Sequence, residues 1–161
     1  MEEARERLIR QKLANIASYI EELAPYLDEP LSDYLAQPGR RRIVERLAQI
    51  IIESAIDTNN LLIVSLGGMA IPTARQSFEA VHRLQIIDDY LLTRFRRTYI
   101  GFRNRIVHDY DVLDSRIVYA TVRRLLGDAR KYVETVYSYL ALAKVERQSP
   151  GTRKSGTISA N

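Results

Sequence analysis

The residues best suited to chemistry lie together near position 105. Arg103 and Asn104 are followed by His108, five residues after the arginine, and by Tyr110 two further on. An imidazole titrates near neutrality and can accept or donate a proton. A guanidinium stays cationic and offers a planar fork of donors that fits phosphate oxygens. Together they suit cleavage of RNA, in which the ribose 2′-OH attacks the adjacent phosphate. That reaction needs a proton acceptor, a proton donor and stabilisation of the phosphorane, and it requires no metal. With two histidines, His82 and His108, and no cysteine, the chain offers no convincing metal cluster, so no metal or cofactor is expected.

One chain supplies only one such pair. At about 100° per residue, Arg103 and His108 point about 140° apart on a helix, so a single helix does not aim both at one atom. A two-fold dimer with its motif helices side by side would pool two histidines and two arginines in one cleft. Tyr110 lies seven residues after Arg103 and shares its side if the helix continues that far.

The element carrying the motif reads as a helix from Asp89 to about His108, capped by Asp88. Leu91, Phe95, Tyr99, Phe102 and Ile106 form its apolar stripe, while Arg94, Arg96, Arg97, Arg103 and Arg105 lie between Asp89 and Asp109 with no carboxylate among them. Arg97, Asn104 and His108 fall opposite that stripe, and Arg97 and Arg105 are candidate phosphate contacts. Gly101 beside them is a poor helix residue and permits a close approach by another helix or a ligand.

A second helix, from about Arg40 to Ser65, is apolar on most sides and belongs in the middle of a bundle. Its exceptions, Gln49, Glu53, Asp57 and Asn60, lie within roughly 80° of one another. This acidic stripe is either the solvated face or the wall of a groove that meets a cationic partner, because unpaired buried carboxylates are costly. Ile9, Leu13, Ile16, Ile20, Leu23 and Leu27 mark a first helix that Pro25 should kink or end near its last turn. One short turn around Leu31 to Leu35, a shorter helix from Thr73 to Leu84, and a final helix from Asp114–Ser115 to about Val145 complete the pattern. The fold class is all-α: an up-and-down bundle of four long helices plus one or two short ones. The domain spans residues 1–146, and 147–161 form an aperiodic tail expected to be disordered.

The 161 residues are the length of one domain, and 24 Lys and Arg against 20 Asp and Glu leave a net charge of +4. Twenty of the basic residues are arginine, the side chain suited to phosphate. The acidic start Met1-Glu2-Glu3 does not read as a secretory signal. The stretch Leu61 to Ile71 is about half the length of a membrane span. A cytoplasmic protein with no membrane contact is the expectation.

The run Gly101-Phe102-Arg103-Asn104-Arg105-Ile106-Val107-His108-Asp109-Tyr110-Asp111 resembles the HEPN superfamily, and within it the HepT branch, which has Arg, four residues, His, one residue and Tyr. Glu53, Asp57, Asn60, Leu62 and Ile63 match the family's acidic and Asn-Leu-Ile pattern, and helix order agrees over about Ala4 to Val145. Two positions depart from it: Leu61 stands where many relatives have His, and Gln85 stands near a usual Gly. The resemblance implies a HEPN-like homodimer acting as a ribonuclease toxin of a type VII-like toxin–antitoxin pair. It also implies an MntA-like nucleotidyltransferase antitoxin that transfers AMP to the motif tyrosine. Carried over, Arg103 and His108 are the catalytic pair, Asn104 supports them, Tyr110 is modified, and Glu53, Asp57 and Asn60 line the supporting groove.

The competing class is a non-catalytic helical subunit that docks a minimal nucleotidyltransferase and holds its nucleotide or substrate. Such a binder needs arginines but has no use for His108. A purely structural dimerisation domain leaves the charge asymmetry of the motif helix unexplained.

Overall fold

A computed structural model describes residues 3–108 and 113–148. Among them the chain forms α1 (Glu3–Asp28), α2 (Leu31–Leu35), α3 (Pro38–Ser65), α4 (Ala74–Arg83), α5 (Asp89–Arg94), a π-helical turn (Phe95–Tyr99), α6 (Ile100–His108) and α7 (Ser115–Gln148). The backbone stays helical from α5 through the π turn into α6, so these three pieces make one long helix. Four long helices and the short α2 and α4 result, as the periodicity predicts.

The boundaries follow from local chemistry. Pro38 opens α3 at a position where its missing N–H has no intrahelical partner to lose. At the other end Gly67, at φ +86°, reverses the chain, and the Gly68 amide donates back to the Ile63 carbonyl at 2.9 Å. A Cβ at Gly68 would lie 2.8 Å from the Ile63 side chain, so this approach needs glycine. The Thr73 hydroxyl accepts from the Gln76 amide, Asp88 from Leu91 and Asp114 from Arg116, which caps α4, α5 and α7. At the end of α4 the same reversal uses Gln85, at φ +58°, with the Ile86 amide bonded to the Val81 carbonyl at 2.9 Å.

Pro25 falls in the last turn of α1, which ends at Asp28 with Leu27 buried, in keeping with the stop expected near that turn. So near the C-terminus the proline removes one ladder bond and has little helix left to disrupt. The motif helix is not uniform α: its apolar residues Leu91, Phe95 and Tyr99 recur every four, a spacing that drifts about 40° per step on an α-helix. The wider π turn takes in one extra residue and lets all three reach the core, where each is fully buried.

The helices alternate in direction. Lys12 of α1 meets Asp57 of α3, and Tyr137 of α7 reaches Arg10 of α1, so α1 is antiparallel to both. Arg41 bonds Ser115, and the Tyr132 hydroxyl donates to Asn59 and to the Ala55 carbonyl, so α3 and α7 are parallel. Phe95 packs on Tyr132 and Phe78, while Arg103, two turns later, reaches Glu53, so the motif helix runs antiparallel to α3. α3 packs on α1, α2, α4, α6 and α7 and is the central helix. By length and apolar content α3 could also span a membrane, which the shorter stretch from Leu61 does not suggest. Here Val44, Leu47, Ile51, Ile52, Ala55, Leu62 and Ile63 are the centre of the core.

Candidate functional site

α6 exists as a helix because Ile100 and Phe102 anchor it in the core and Ile106 packs at its edge. The opposite face then carries Arg97, Gly101, Asn104 and His108, all exposed. Arg103 lies between the two faces and turns inward over α3. Its Nε and Nη2 donate to Glu53 Oε1 at 3.2 and 3.1 Å, and its Nη1 donates to Asn104 Oδ1 at 3.1 Å. Gln49 Nε2 donates to the same Glu53 oxygen at 3.1 Å. These contacts use three of the five guanidinium N–H groups and leave two to grip an anion end-on. The arginine is about a quarter exposed, with its side chain at 28% and that of Glu53 at 36%, so it is fixed in place yet open to solvent.

His108 is the last residue of α6 and is exposed, with no hydrogen-bond partner among the described residues. Arg103 faces α3 while the imidazole faces away, in keeping with the wide angle expected on one helix. Among the described residues nothing comes within 4 Å of a Cβ built on Gly101, so the space beside that face is open. Tyr110, with Asp109 and Asp111, lies outside the described residues.

The acidic stripe meets cations. Glu53 holds Arg103, and Asp57, one turn on, pairs with Lys12 of α1 at 2.9 Å. Both carboxylates thus have cationic partners, while the Asp57 side chain stays 59% exposed and that of Glu53 36%, so the stripe is paired and solvated at once. Asn60 does something else: its Oδ1 accepts from the Ile71 amide at 2.9 Å and ties the chain after α3 back onto the helix. Asp57 and Asn60 therefore extend the same face without touching Arg103.

The arginines of the motif helix separate by role. Arg94 donates through Nε to Asp128 at 2.7 Å, and Arg96 pairs with Glu79 at 3.3 Å, so these two bind α5 and the π turn to α7 and α4. Arg97 is exposed without an ion-pair partner among the described residues, and Arg105 is exposed.

The Asp128 cluster escaped the sequence reading. This carboxylate is 6% exposed and accepts from the Tyr90 hydroxyl at 2.7 Å, from Arg94, and from the Tyr99 hydroxyl. Burial raises its pKa, but the bonds from Tyr99, Arg94 and Tyr90 outweigh burial and hold the carboxyl below its ordinary value. Burial first, and then the bond to Asp128, push the Tyr99 phenol well above its usual range. The signal was available: Asp128 stands three residues after Leu125 and four before Tyr132, in register with the core face of α7. Its bonds to Tyr99 and Arg94 pin the π turn that carries α6.

With this geometry in view, comparisons with known proteins are informative. A family model described as ribonuclease HepT-like matches residues 16–136. A tRNA nuclease HepT from Aphanizomenon flos-aquae (strain 2012/KM1/D3) is 30% identical over 139 residues, which cover 86% of this chain and 94% of that one. Among solved structures, a tri-AMPylated Shewanella oneidensis HEPN toxin in complex with its MNT antitoxin superposes with a TM-score of 0.72 at 24% identity. It covers 81% of this chain and 96% of its own. A toxin–antitoxin structure with AMP-PNP gives 0.73 at 22% identity, covering 82% and 98%.

Proposed function

Because the chain belongs to the HepT-like ribonuclease family, we propose that it is the toxin of a type VII-like toxin–antitoxin pair: a cytoplasmic, metal-independent endoribonuclease whose complete centre forms between two copies. The observation that carries this reading is the state of the Arg–His pair. Arg103 is fastened to Glu53 and Asn104 with two N–H groups to spare, while His108 stands exposed and unpartnered among the described residues on a diverging direction. A fixed cation with free end-on donors suits a phosphate that gains charge in the transition state. An exposed imidazole suits proton transfer to and from the 2′-oxygen and the leaving 5′-oxygen. The divergence of the two groups, and the open space at Gly101, favour a homodimer that brings a second motif helix against this face. Arg97 and Arg105 add positive charge along the same helix for the RNA backbone.

Control follows from Tyr110. An MntA-like nucleotidyltransferase partner would direct the tyrosine oxygen at the α-phosphate of ATP. The new O–P bond leaves AMP on the tyrosine, and pyrophosphate departs with the phenolic proton passed to solvent. The added phosphodiester and nucleotide would compete with RNA for Arg103. The solved HEPN toxin carrying three AMP groups beside an MNT antitoxin supports this reading by likeness. tRNA is the first substrate to assay, because the curated relative is a tRNA nuclease.

The test is cleavage of RNA in the presence of a chelator by the wild type and by folded His108→Ala and Arg103→Ala proteins. Both substitutions abolish cleavage while leaving helicity and dimer mass intact. Full activity in a folded His108→Ala protein refutes the assignment.

A further inference from the structure

The four arginines of the first turns of α3 divide into two pairs. Arg40 is ion-paired to Glu29, and Arg41 donates to Ser115 at 2.8 Å, so both hold the end of the bundle together. Arg42 and Arg46 are exposed and make no ion pair among the described residues. Glu45 lies within electrostatic reach of Arg41 and Arg42 and compensates Arg42 in part. Among the described residues no carboxylate pairs with Arg46.

Their position gives these charges meaning. At about 100° per residue, Arg42, Arg46, Gln49 and Glu53 fall within about 60° on one face of α3. Arg103 is seated on Glu53, so the two free arginines continue the line of the candidate centre. At about 1.5 Å per residue, Arg46 lies about 10 Å and Arg42 about 16 Å from Glu53 along the helix axis. The motif helix runs antiparallel to α3, so His108, about 7 Å beyond Arg103, lies in that same direction. The order along the bundle is Arg103, His108, Arg46, Arg42.

We propose that Arg42 and Arg46 form a phosphate-binding track that holds the RNA backbone as it leaves the Arg103–His108 centre. The proposal rests on the nuclease reading and deepens it: the centre breaks one phosphodiester, and the track binds the phosphates that flank it on one side. Flexible, solvated arginines contribute charge and bidentate hydrogen bonds to phosphate and little choice of base, so the track governs how tightly a strand is held.

The experiment measures binding of a fluorescent single-stranded RNA to His108→Ala protein as salt is varied. The comparison is the same protein carrying Arg42→Ala and Arg46→Ala. Each phosphate contact contributes about 0.7 to the slope of log K against log salt, so losing two reduces the slope by about 1.4. Arg42→Glu/Arg46→Glu weakens binding further, whereas Arg75→Ala on α4, an exposed arginine toward the other end of α3, leaves the slope unchanged. In the cleaving protein the double substitution raises KM for a long RNA and leaves kcat/KM for a dinucleotide as it was. An unchanged slope and KM in a wild type that cleaves overturns the track alone. A wild type that cleaves nothing overturns the nuclease reading, and the binding slopes then still decide whether the arginines hold phosphate.

Discussion

Substituting Glu53 by glutamine isolates what the acidic stripe does for the reaction. The amide keeps the shape and one acceptor oxygen, so Gln49 and Arg103 can still bond to it, but the charge is gone. In the wild type one carboxylate oxygen takes both Nε and Nη2 of Arg103, with the two side chains about a third exposed. Solvent screens a pair this open, so its worth is about 1 kcal/mol, well below that of a buried bidentate pair. If that energy holds the guanidinium where the phosphorane's charge develops, its loss appears in kcat, and 1 kcal/mol corresponds to about fivefold. Ground-state affinity moves the other way or stays put, because a negative charge beside the phosphate site has been removed. Steady-state cleavage of a labelled RNA should therefore give a kcat lower by about fivefold with KM equal or smaller. A higher KM at constant kcat, or a faster enzyme, refutes the claim that Glu53 positions Arg103. The second outcome would mean that the carboxylate merely withholds the arginine from its substrate.

Two further outcomes bear on the scaffold. Gln85 occupies a left-handed position at φ +58°, which a side chain disfavours by about 1 kcal/mol and glycine does not. Gln85→Gly should raise the melting temperature by about 2 to 4 °C, and an unchanged or lower value contradicts the strain. Asp128→Asn removes the charge that three donors share in a buried site and should cost about 2 kcal/mol at pH 7. The folded-state carboxyl of Asp128 lies below its unfolded value, so its stabilisation is present above the ordinary carboxylate range and fades as pH falls through the folded value. Wild type and variant should thus converge in thermal stability as the pH is lowered from 7 toward 3; a constant gap rules this out.

What the sequence could reveal depended on whether the cause was local. Caps at Thr73, Asp88 and Asp114 and the Gly67-Gly68 stop are settled within four or five residues, and each marks a helix end where the pattern put it. Pro25 marks the last turn of α1 for the same reason, since a breaker is tolerated where little helix remains beyond it. The π turn was hidden in plain spacing: Leu91, Phe95 and Tyr99 at four-residue intervals read as an ordinary stripe unless the drift is summed. At the site, Arg103, Asn104 and His108 were legible as types and spacing, but their partners were not. Glu53 is 50 residues from Arg103, and Lys12 is 45 from Asp57, so only the packing of α1, α3 and α6 decides who meets whom. The same holds for Asn60, whose family match hides a bond to the Ile71 backbone.

The widened turn at Phe95–Tyr99 makes the motif helix respond to length in an unusual way. Deleting one residue there would not simply shorten a rod. It would restore ordinary winding, and four residues at about 100° each turn about as far as five at the wider winding, so the guanidinium and the imidazole would keep nearly the azimuth they have. The five residues of the turn thus act as a spacer that takes up one residue of length without turning the reactive groups off their bearing.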